Sequence, residues 1–363
     1  MAGTQVVVWG AGTTVNTGSM NDYGQCLVPS NLTNAVMAAL GWRHVMAVKA
    51  DGTLLGWGDD SAGQTNFPAG SNFIAIACGQ IHSVALKADG TVAAAGFDNY
   101  GQTDVPAGLS NVVKVACAFY HTLALKSDGT LAAWGGEGDF SADGGTVPAG
   151  VSNVVDIAAG GYHDLVFQAN GNLFGLGDNT YGETNIPPGL SNIVAIAAGD
   201  YYNMALKSDG TVVEWGYASN ASVTNVPAGL TNVVAIAANT ELNLALKNNG
   251  TVVAWGLNTE NDTVVPAGLT NVIQIAANVA NGLALVNTNA SLASSVVVQP
   301  AAGTNGFSVT LPTENGRVYE LEYKNSLTDA HWQFLSLSAG TGENVSLQDS
   351  SGFPQRYYRV LRW

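Results

Sequence analysis

The chain has 363 residues, enough for two domains or for one large repeat architecture with an appendage. Only 11% of them are charged, against roughly 25% in an ordinary soluble domain, and 44 are glycine, so strands and turns are expected and surface helix is not. The formal charge of −15 lies almost wholly in residues 1–290, which hold 21 acidic and 7 basic side chains; such a surface repels phosphate backbones, argues against nucleic acid as a partner and favours a basic protein surface.

The first strand expected is Val6-Val7-Val8-Trp9-Gly10, and its closing glycine opens a series: Gly10, Gly58, Gly96, Gly135, Gly177, Gly216 and Gly256, at intervals of 48, 38, 39, 42, 39 and 40 residues. Each unit reads as four strands. An apolar run such as Val233 to Ala237 comes first, without alternation because both faces are buried. A second strand like Leu123-Ala124-Leu125-Lys126 leads into an Asp-Gly or Asn-Gly hairpin, as at Asp51-Gly52, Asp128-Gly129 and Asn249-Gly250, where the turn needs positive φ. A third strand follows, as at Thr251 to Gly256, and the Gly-Gln-Thr-x-x-Pro segment, as at Gly101 to Pro106, is expected as a fourth, outer strand.

Four-stranded units repeated radially make a propeller. The chain opens on a third strand that lacks a first and second, and its repeats run out after Val272 to Ala276 and Leu283 to Val286, a first and second that lack a third. The ends are therefore expected to share one blade, two strands from each, and to close a ring of seven. Residues 291–305, rich in Ser, Ala and Gly, read as a linker. In residues 306–363, Phe307 to Leu311, Val318 to Tyr323, Trp332 to Leu337, Val345 to Leu347 and Tyr357 to Leu361 read as the strands of a small β-sandwich. The expected fold is all-β: a seven-bladed propeller over residues 1–290 with a sandwich behind it.

The string Val-x-x-Ile-Ala-x-Gly-x-x-His-x-x-Ala-Leu-Lys-x-Asp-Gly-Thr-Val-x-x-Trp-Gly, seen with single exceptions over residues 72–96 and 111–135, resembles the regulator-of-chromosome-condensation repeat. The Gly-Gln-Thr-x-x-Pro links and the split closing blade are similar to the propeller-type β-lactamase inhibitors of soil bacteria. That resemblance implies a protein-binding scaffold and no cofactor. The founder of the repeat family exchanges nucleotide on a small GTPase and binds chromatin, but nothing here resembles its displacing wedge or its basic arm. Tyr319 to Glu322, Trp332 and Tyr358 to Val360 resemble a small β domain that ends many secreted proteins of planctomycete and verrucomicrobial bacteria, which implies export to the cell exterior or periplasm. No run of 18 apolar residues is present, so no membrane insertion is expected, and the expected state is a monomer.

Strands that alternate in direction bring the first-to-second and third-to-fourth loops to one face. The opposite, hairpin face is monotonous and reads as structural. The loop face varies: Trp42, Phe119, Tyr120, Tyr162, Tyr201 and Tyr202 lie in the first set of loops, and Asp59, Asp98, Tyr100 and Tyr181, with Glu137, Asp139 and Phe140, in the second. Rigid aromatics beside carboxylates are what a protein-binding hot spot needs, and in the resembling inhibitors such loop aromatics touch the target enzyme. Packing over the blade ends is the competing reading, a carbohydrate stacked on Trp42 or Tyr201 is the alternative ligand, and a structural repeat module without a dedicated partner is the further alternative.

His44, His82, His121 and His163 share one repeat position with Tyr202, Leu242 and Asn281. Blade spacing places them too far apart for one zinc ion, and a hydrogen bond within each blade is the expected role. Cys26, Cys78 and Cys117 lack metal spacing and read as small buried hydrophobes. Asp59 with Asp60, or Glu137 with Asp139, would be the only carboxylate pairs for glycoside chemistry; without a nucleophile motif, no enzymatic activity is expected.

Overall fold

The computed structural model describes residues 3–13, 22–136, 147–148, 150–217, 224–288, 295–298, 307–312, 318–325, 333–339, 344–349 and 356–362. Seven three-stranded antiparallel sheets follow one another. Blade 1 consists of Ala35–Leu40, His44–Lys49 and Leu54–Gly58, and blade 2 of Phe73–Cys78, His82–Lys87 and Val92–Gly96. Blade 3 holds Val112–Cys117, His121–Lys126 and Leu131–Gly135, and blade 4 holds Val154–Ala159, His163–Gln168 and Leu173–Gly177. Blade 5 is Ile193–Ala198, Tyr202–Lys207 and Val212–Gly216, and blade 6 is Val233–Ala238, Leu242–Lys247 and Val252–Gly256. Blade 7 joins Val272–Ala277 and Asn281–Asn287 to the chain's opening strand, Thr4–Gly10.

The opening valines pair with the end of the repeats as expected, Val6 opposite Leu285 and Val8 opposite Leu283. First strands of consecutive blades pack side by side around the axis, including Val272–Ala277 against Ala35–Leu40, so the ring is closed. One apolar cluster at the junction joins Val6, Leu283 and Leu285 to Ala35, Ala38 and Val45.

Among the described residues the fourth strand does not form. The Gly-Gln-Thr-x-x-Pro segment is a run of turns whose amides are consumed locally: Tyr100 N donates to Gln102 Oε1 (3.0 Å), Thr103 N to Asp98 Oδ1 (2.9 Å) and Asp104 N to the Gly101 carbonyl (3.1 Å). Those amides are unavailable to a ladder, and the closing blade has two strands from one end of the chain and one from the other.

Consecutive blades are tied by side chains. His44 Nε2 lies 2.8 Å from Ser83 Oγ, His82 Nε2 3.2 Å from Thr122 Oγ1, His121 Nε2 2.9 Å from Asp164 Oδ1 and His163 Nε2 2.7 Å from Asn203 Oδ1. Tyr202 continues the series, its hydroxyl donating to Asn243 Oδ1 (2.8 Å). The partner is always the residue after the repeat position in the next blade, so these bonds run between blades and not within them as expected. At the sixth junction the two positions are Leu242 and Gly282, and at the seventh Asn281 donates instead to the Trp9 and Ala11 carbonyls. A side chain on Gly79 would overlap both the His82 ring and the Ala118 carbonyl of the next blade, which explains the repeat's glycine three residues before histidine.

The recurring tryptophans make a second tie. Trp57 Nε1 donates to the Gln25 carbonyl (2.8 Å), Trp134 to that of Gln102 (3.1 Å) and Trp215 to that of Glu183 (2.9 Å), each in the preceding blade. Trp255 finds Glu214 Oε1 instead (3.0 Å). A third tie is backbone: the hairpin carbonyls of Gly52, Gly90 and Gly129 accept from the amides of Phe73, Val112 and Val154. The residue before each first strand is an asparagine in the left-handed region, with φ of 57° at Asn111 and 59° at Asn232. Asparagine tolerates this conformation better than other non-glycine residues.

Behind the ring, Ser295–Val298, Val318–Lys324, Gln333–Ala339 and Tyr357–Arg362 form one sheet, and Phe307–Pro312 with Asn344–Asp349 the other. They enclose Phe307, Tyr319, Leu321, Leu347, Tyr358 and Val360, the expected sandwich. Ser295–Val298 falls inside the stretch expected as linker and pairs with Tyr357–Arg362. Trp332 lies outside the described residues.

Two stability predictions follow from these ties. Asn111→Ala lowers stability by about 1 kcal/mol in a denaturant melt, whereas Asn111→Gly is close to neutral, because only the β-carbon penalises the left-handed backbone. Burial lowers the pKa of His44 to about 4, although Asp59 and Asp60 pull it upward, and burial lowers that of His82 to about 3. Both therefore stabilise the fold fully above the unfolded value near 6.5 and lose that contribution as pH falls towards 4 and 3. His121 has the opposite sign: burial alone would lower its pKa, but the Asp164 carboxylate raises it, so its contribution is present in acid and lost as pH rises through the elevated value. Melting from pH 7.5 to 5.0 should cost the parent protein about 2 kcal/mol more per histidine than it costs the His44→Gln, His82→Gln double variant.

Candidate protein-binding face

The loops after first strands and after third strands emerge together, stitched by backbone bonds such as Phe97 N to the Ile81 carbonyl, Asp178 N to that of Tyr162 and Tyr217 N to that of Tyr201. Glycines close the third strands in positive φ, 118° at Gly96, where a β-carbon would strike the Ile81 carbonyl. The scaffold beneath the loops is thus the same in every blade, while the tips differ.

At those tips eight aromatic rings form a continuous arc over blades 2 to 5. Phe97 meets Tyr100 (5.9 Å between ring centres), Tyr100 meets Tyr120 (5.1 Å), and Tyr120 meets Phe119 (6.2 Å). Phe119 meets Tyr162 (5.4 Å) and Tyr162 meets Tyr201 (6.0 Å). Tyr181 stands edge-on to both Tyr201 (5.2 Å) and Tyr217 (4.8 Å). Most of these pairs are T-shaped, the geometry in which a ring's positive edge meets a neighbour's negative face. The rings are half-buried except Tyr181, which is 45% exposed. Phe97 and Tyr217 complete the arc; Phe97 follows the closing glycine of its third strand, where three other blades carry Asp59, Gly136 and Asp178.

Trp42 stands apart, in blade 1. The Arg43 guanidinium lies 3.7 Å from the centre of its ring and 4.9 Å from that of Tyr23, whose hydroxyl Arg43 also reaches (3.2 Å). Trp42 and Phe119 both border the mouth of the central channel on this face, with Gln80, Asp200 and Val279. Cys78 and Cys117 border it too and are half-buried, not fully so; burial raises the Cys78 thiol to about 12, well outside the range of a reactive thiolate.

Two residues expected at the contact surface are not there. Tyr202 is 1% exposed, because its ring fills the histidine position of blade 5 and its hydroxyl is spent between blades 5 and 6. Asp59 is 7% exposed and its Oδ1 accepts the Ser61 amide (3.0 Å), a turn cap. Asp60 caps the Thr65 amide in the same way (2.9 Å), so this carboxylate pair holds a turn and does not converge on a substrate. Asp98 is exposed, as expected, with one oxygen engaged by Thr103. Glu137, Asp139 and Phe140 lie outside the described residues.

Beside the arc the surface is acidic. Asp200, 4% exposed at the channel mouth, is pushed up to about 7 by burial; the Thr240 hydroxyl opposes this rise and the Glu241 charge adds to it. Among the described residues no group of three or more His, Cys, Asp or Glu is placed to hold a metal ion.

The regulator of chromosome condensation (RCC1) repeat model matches residues 38–64, 73–102 and 112–140, which lie in blades 1 to 3 and their connections. No curated protein sequence matches. Among solved structures, Prp20p of Saccharomyces cerevisiae, described for its binding to Gsp1p and histones, superposes with a TM-score of 0.65 at 15% identity, over 79% of this chain and 92% of its own. Human WBSCR16 gives 0.61 at 18% identity, over 80% and 100%. The CRINKLY ectodomain of the Arabidopsis thaliana receptor kinase ACR4 gives 0.51 at 20%, over 62% and 81%.

Removing the Tyr202 hydroxyl with Tyr202→Phe should lower stability by about 1–2 kcal/mol, since the buried Asn243 Oδ1 loses that donor, and should leave binding at the loop face unchanged. A thermal melt alongside a binding assay reads both. With three of its repeats matched in sequence and its ring matched in space, the chain carries repeats similar to those of RCC1 and has the fold of an RCC1-type β-propeller.

Proposed function

We propose that the protein is a non-enzymatic scaffold that binds a protein partner on the loop face of blades 2 to 5. The observation that carries this reading is the unbroken arc of eight aromatic rings on four consecutive blades. Blade packing alone has no need of it: the equivalent loops of blade 6 carry Thr240 and Glu241, and blade 7 carries Val279 and Ala280, in the same closed ring. Large rings already braced against one another lose little side-chain freedom on binding, which is the economy of a hot spot. The acidic propeller would steer a basic surface towards the arc. Prp20p, similar in fold, binds Gsp1p and histones, and that likeness favours a protein partner.

A finer form of this reading is capture of an enzyme in the manner of the β-lactamase inhibitors, to which the linking segments are similar. The first-to-second loops of blades 6 and 7, which carry no aromatics, would leave such a contact incomplete on one side of the ring. Carbohydrate stacking is the weaker alternative, because a sugar needs an open ring face and the T-shaped contacts turn many of these faces towards a neighbour's edge. The resemblance of the C-terminal domain to that of secreted bacterial proteins favours a partner outside the cytoplasm.

The full-length protein used as bait on the native organism's envelope and medium should retain a partner that a Tyr181→Ala, Tyr201→Ala bait loses. Two hot-spot truncations of about 2 kcal/mol each correspond to a loss of affinity of roughly a thousandfold. Undiminished capture by the double variant, or strong signals on a glycan array that this variant abolishes, would overturn the reading.

A further inference from the structure

The first strand of every blade carries a β-bulge after its first residue. The seven bulged residues, Val36, Ile74, Val113, Val155, Val194, Val234 and Ile273, are all β-branched and aliphatic. They sit at the hairpin end of the channel, since the residue before each pairs with the last residues of the second strand, as Ala35 does with Lys49. A bulge throws its residue out of the ladder, so seven apolar side chains surround this mouth.

Chemically equivalent, they are not equally covered. Val36, Ile74 and Val113 are 50%, 53% and 39% exposed, whereas Val155, Val194 and Val234 are 5%, 6% and 1% exposed. The local sequences and registers are alike, and Val155, Val194 and Val234 also belong to apolar clusters of the blades themselves. What differs is the sandwich: its strand Gln333–Ala339 runs against Ile193–Ala198 of blade 5, and Val318–Lys324 against Val233–Ala238 of blade 6. The tether fits this seat. Asn287 ends the last propeller strand on the hairpin face, and seven residues separate it from Ser295, the start of the sandwich. An extended tether of that length spans roughly 29 Å, and the covered arc begins at blade 6, next to the blade from which the tether leaves.

We propose that the ring of bulge residues is a docking site for the chain's own C-terminal sandwich, which occupies the arc of blades 5 and 6 and fixes itself to the hairpin face, leaving the loop face as the free side. The hairpin face is then an interface and not merely a structural end. The proposal is independent of the identity of any loop-face partner.

The test compares two double variants of the full chain. Val194→Lys with Val234→Lys places charges under the sandwich; Val36→Lys with Ile74→Lys places the same charges where the ring is open. The first pair should speed elastase cleavage between the domains by roughly tenfold and lengthen the maximum dimension in small-angle X-ray scattering, and the second should do neither. No change in the first pair, or equal changes in both, overturns the proposal. So does a parent dimer in analytical ultracentrifugation that the first pair dissociates, since the seat would then belong to a second copy's sandwich. Should the lysines impair folding by circular dichroism, Val194→Asn with Val234→Asn must still cleave faster than the parent; parent-like cleavage overturns the docking.

Discussion

The tie between one blade and the next is the contact on which the rest of the molecule depends. A three-stranded sheet cannot bury both faces alone, and each blade is stable only when its neighbours cover it. Apolar packing supplies most of that cover, yet packing by itself is tolerant of sliding. The imidazole of one blade, seated by a glycine three residues earlier except at His121, where Ala118 stands, and bonded to a hydroxyl, carboxylate or amide of the next, removes that freedom at four junctions, and Tyr202 removes it at a fifth. Buried and dry, such bonds are costly to leave half-made, so they set the angle between blades as well as holding them together.

With spacing and angle held from inside, the loop tips are relieved of structural duty. The histidine, the glycines and the tryptophan ties recur, while the residues one or two positions away change from blade to blade. That division lets aromatic rings accumulate on blades 2 to 5 without disturbing the ring, and lets blades 6 and 7 carry none of them. The same logic applies at the other end: the bulge that positions each first strand also exposes an aliphatic residue, and a domain tethered at blade 7 covers part of the circle so formed.

Several features were open to sequence reasoning because they are periodic. Seven glycine-terminated strands, the hairpin dipeptides and the unmatched ends specify a closed ring of seven, and the alternating segments after residue 306 specify a sandwich. Others were open in principle but need two repeats read together: histidine in one blade is followed, one repeat later, by Ser83, Thr122, Asp164 or Asn203, and the polar pair gives way to Leu242 with Gly282. The asparagine before every first strand is likewise a repeated signal, and its cause is a backbone angle that composition alone does not reveal.

The sequence by itself determined the architecture, the count of blades and the loops that vary, because hydrophobic period and turn chemistry are local properties and a repeat multiplies them sevenfold. Only the tertiary structure decided which varying residues face outward. Tyr202 and Asp59 have the composition of a contact surface, yet one is consumed by a junction between blades and the other by its own turn; Phe97 and Tyr217 complete an arc whose other members come from different blades. A side chain's availability depends on partners some forty residues away and brought near by ring closure, and no local pattern encodes that distance.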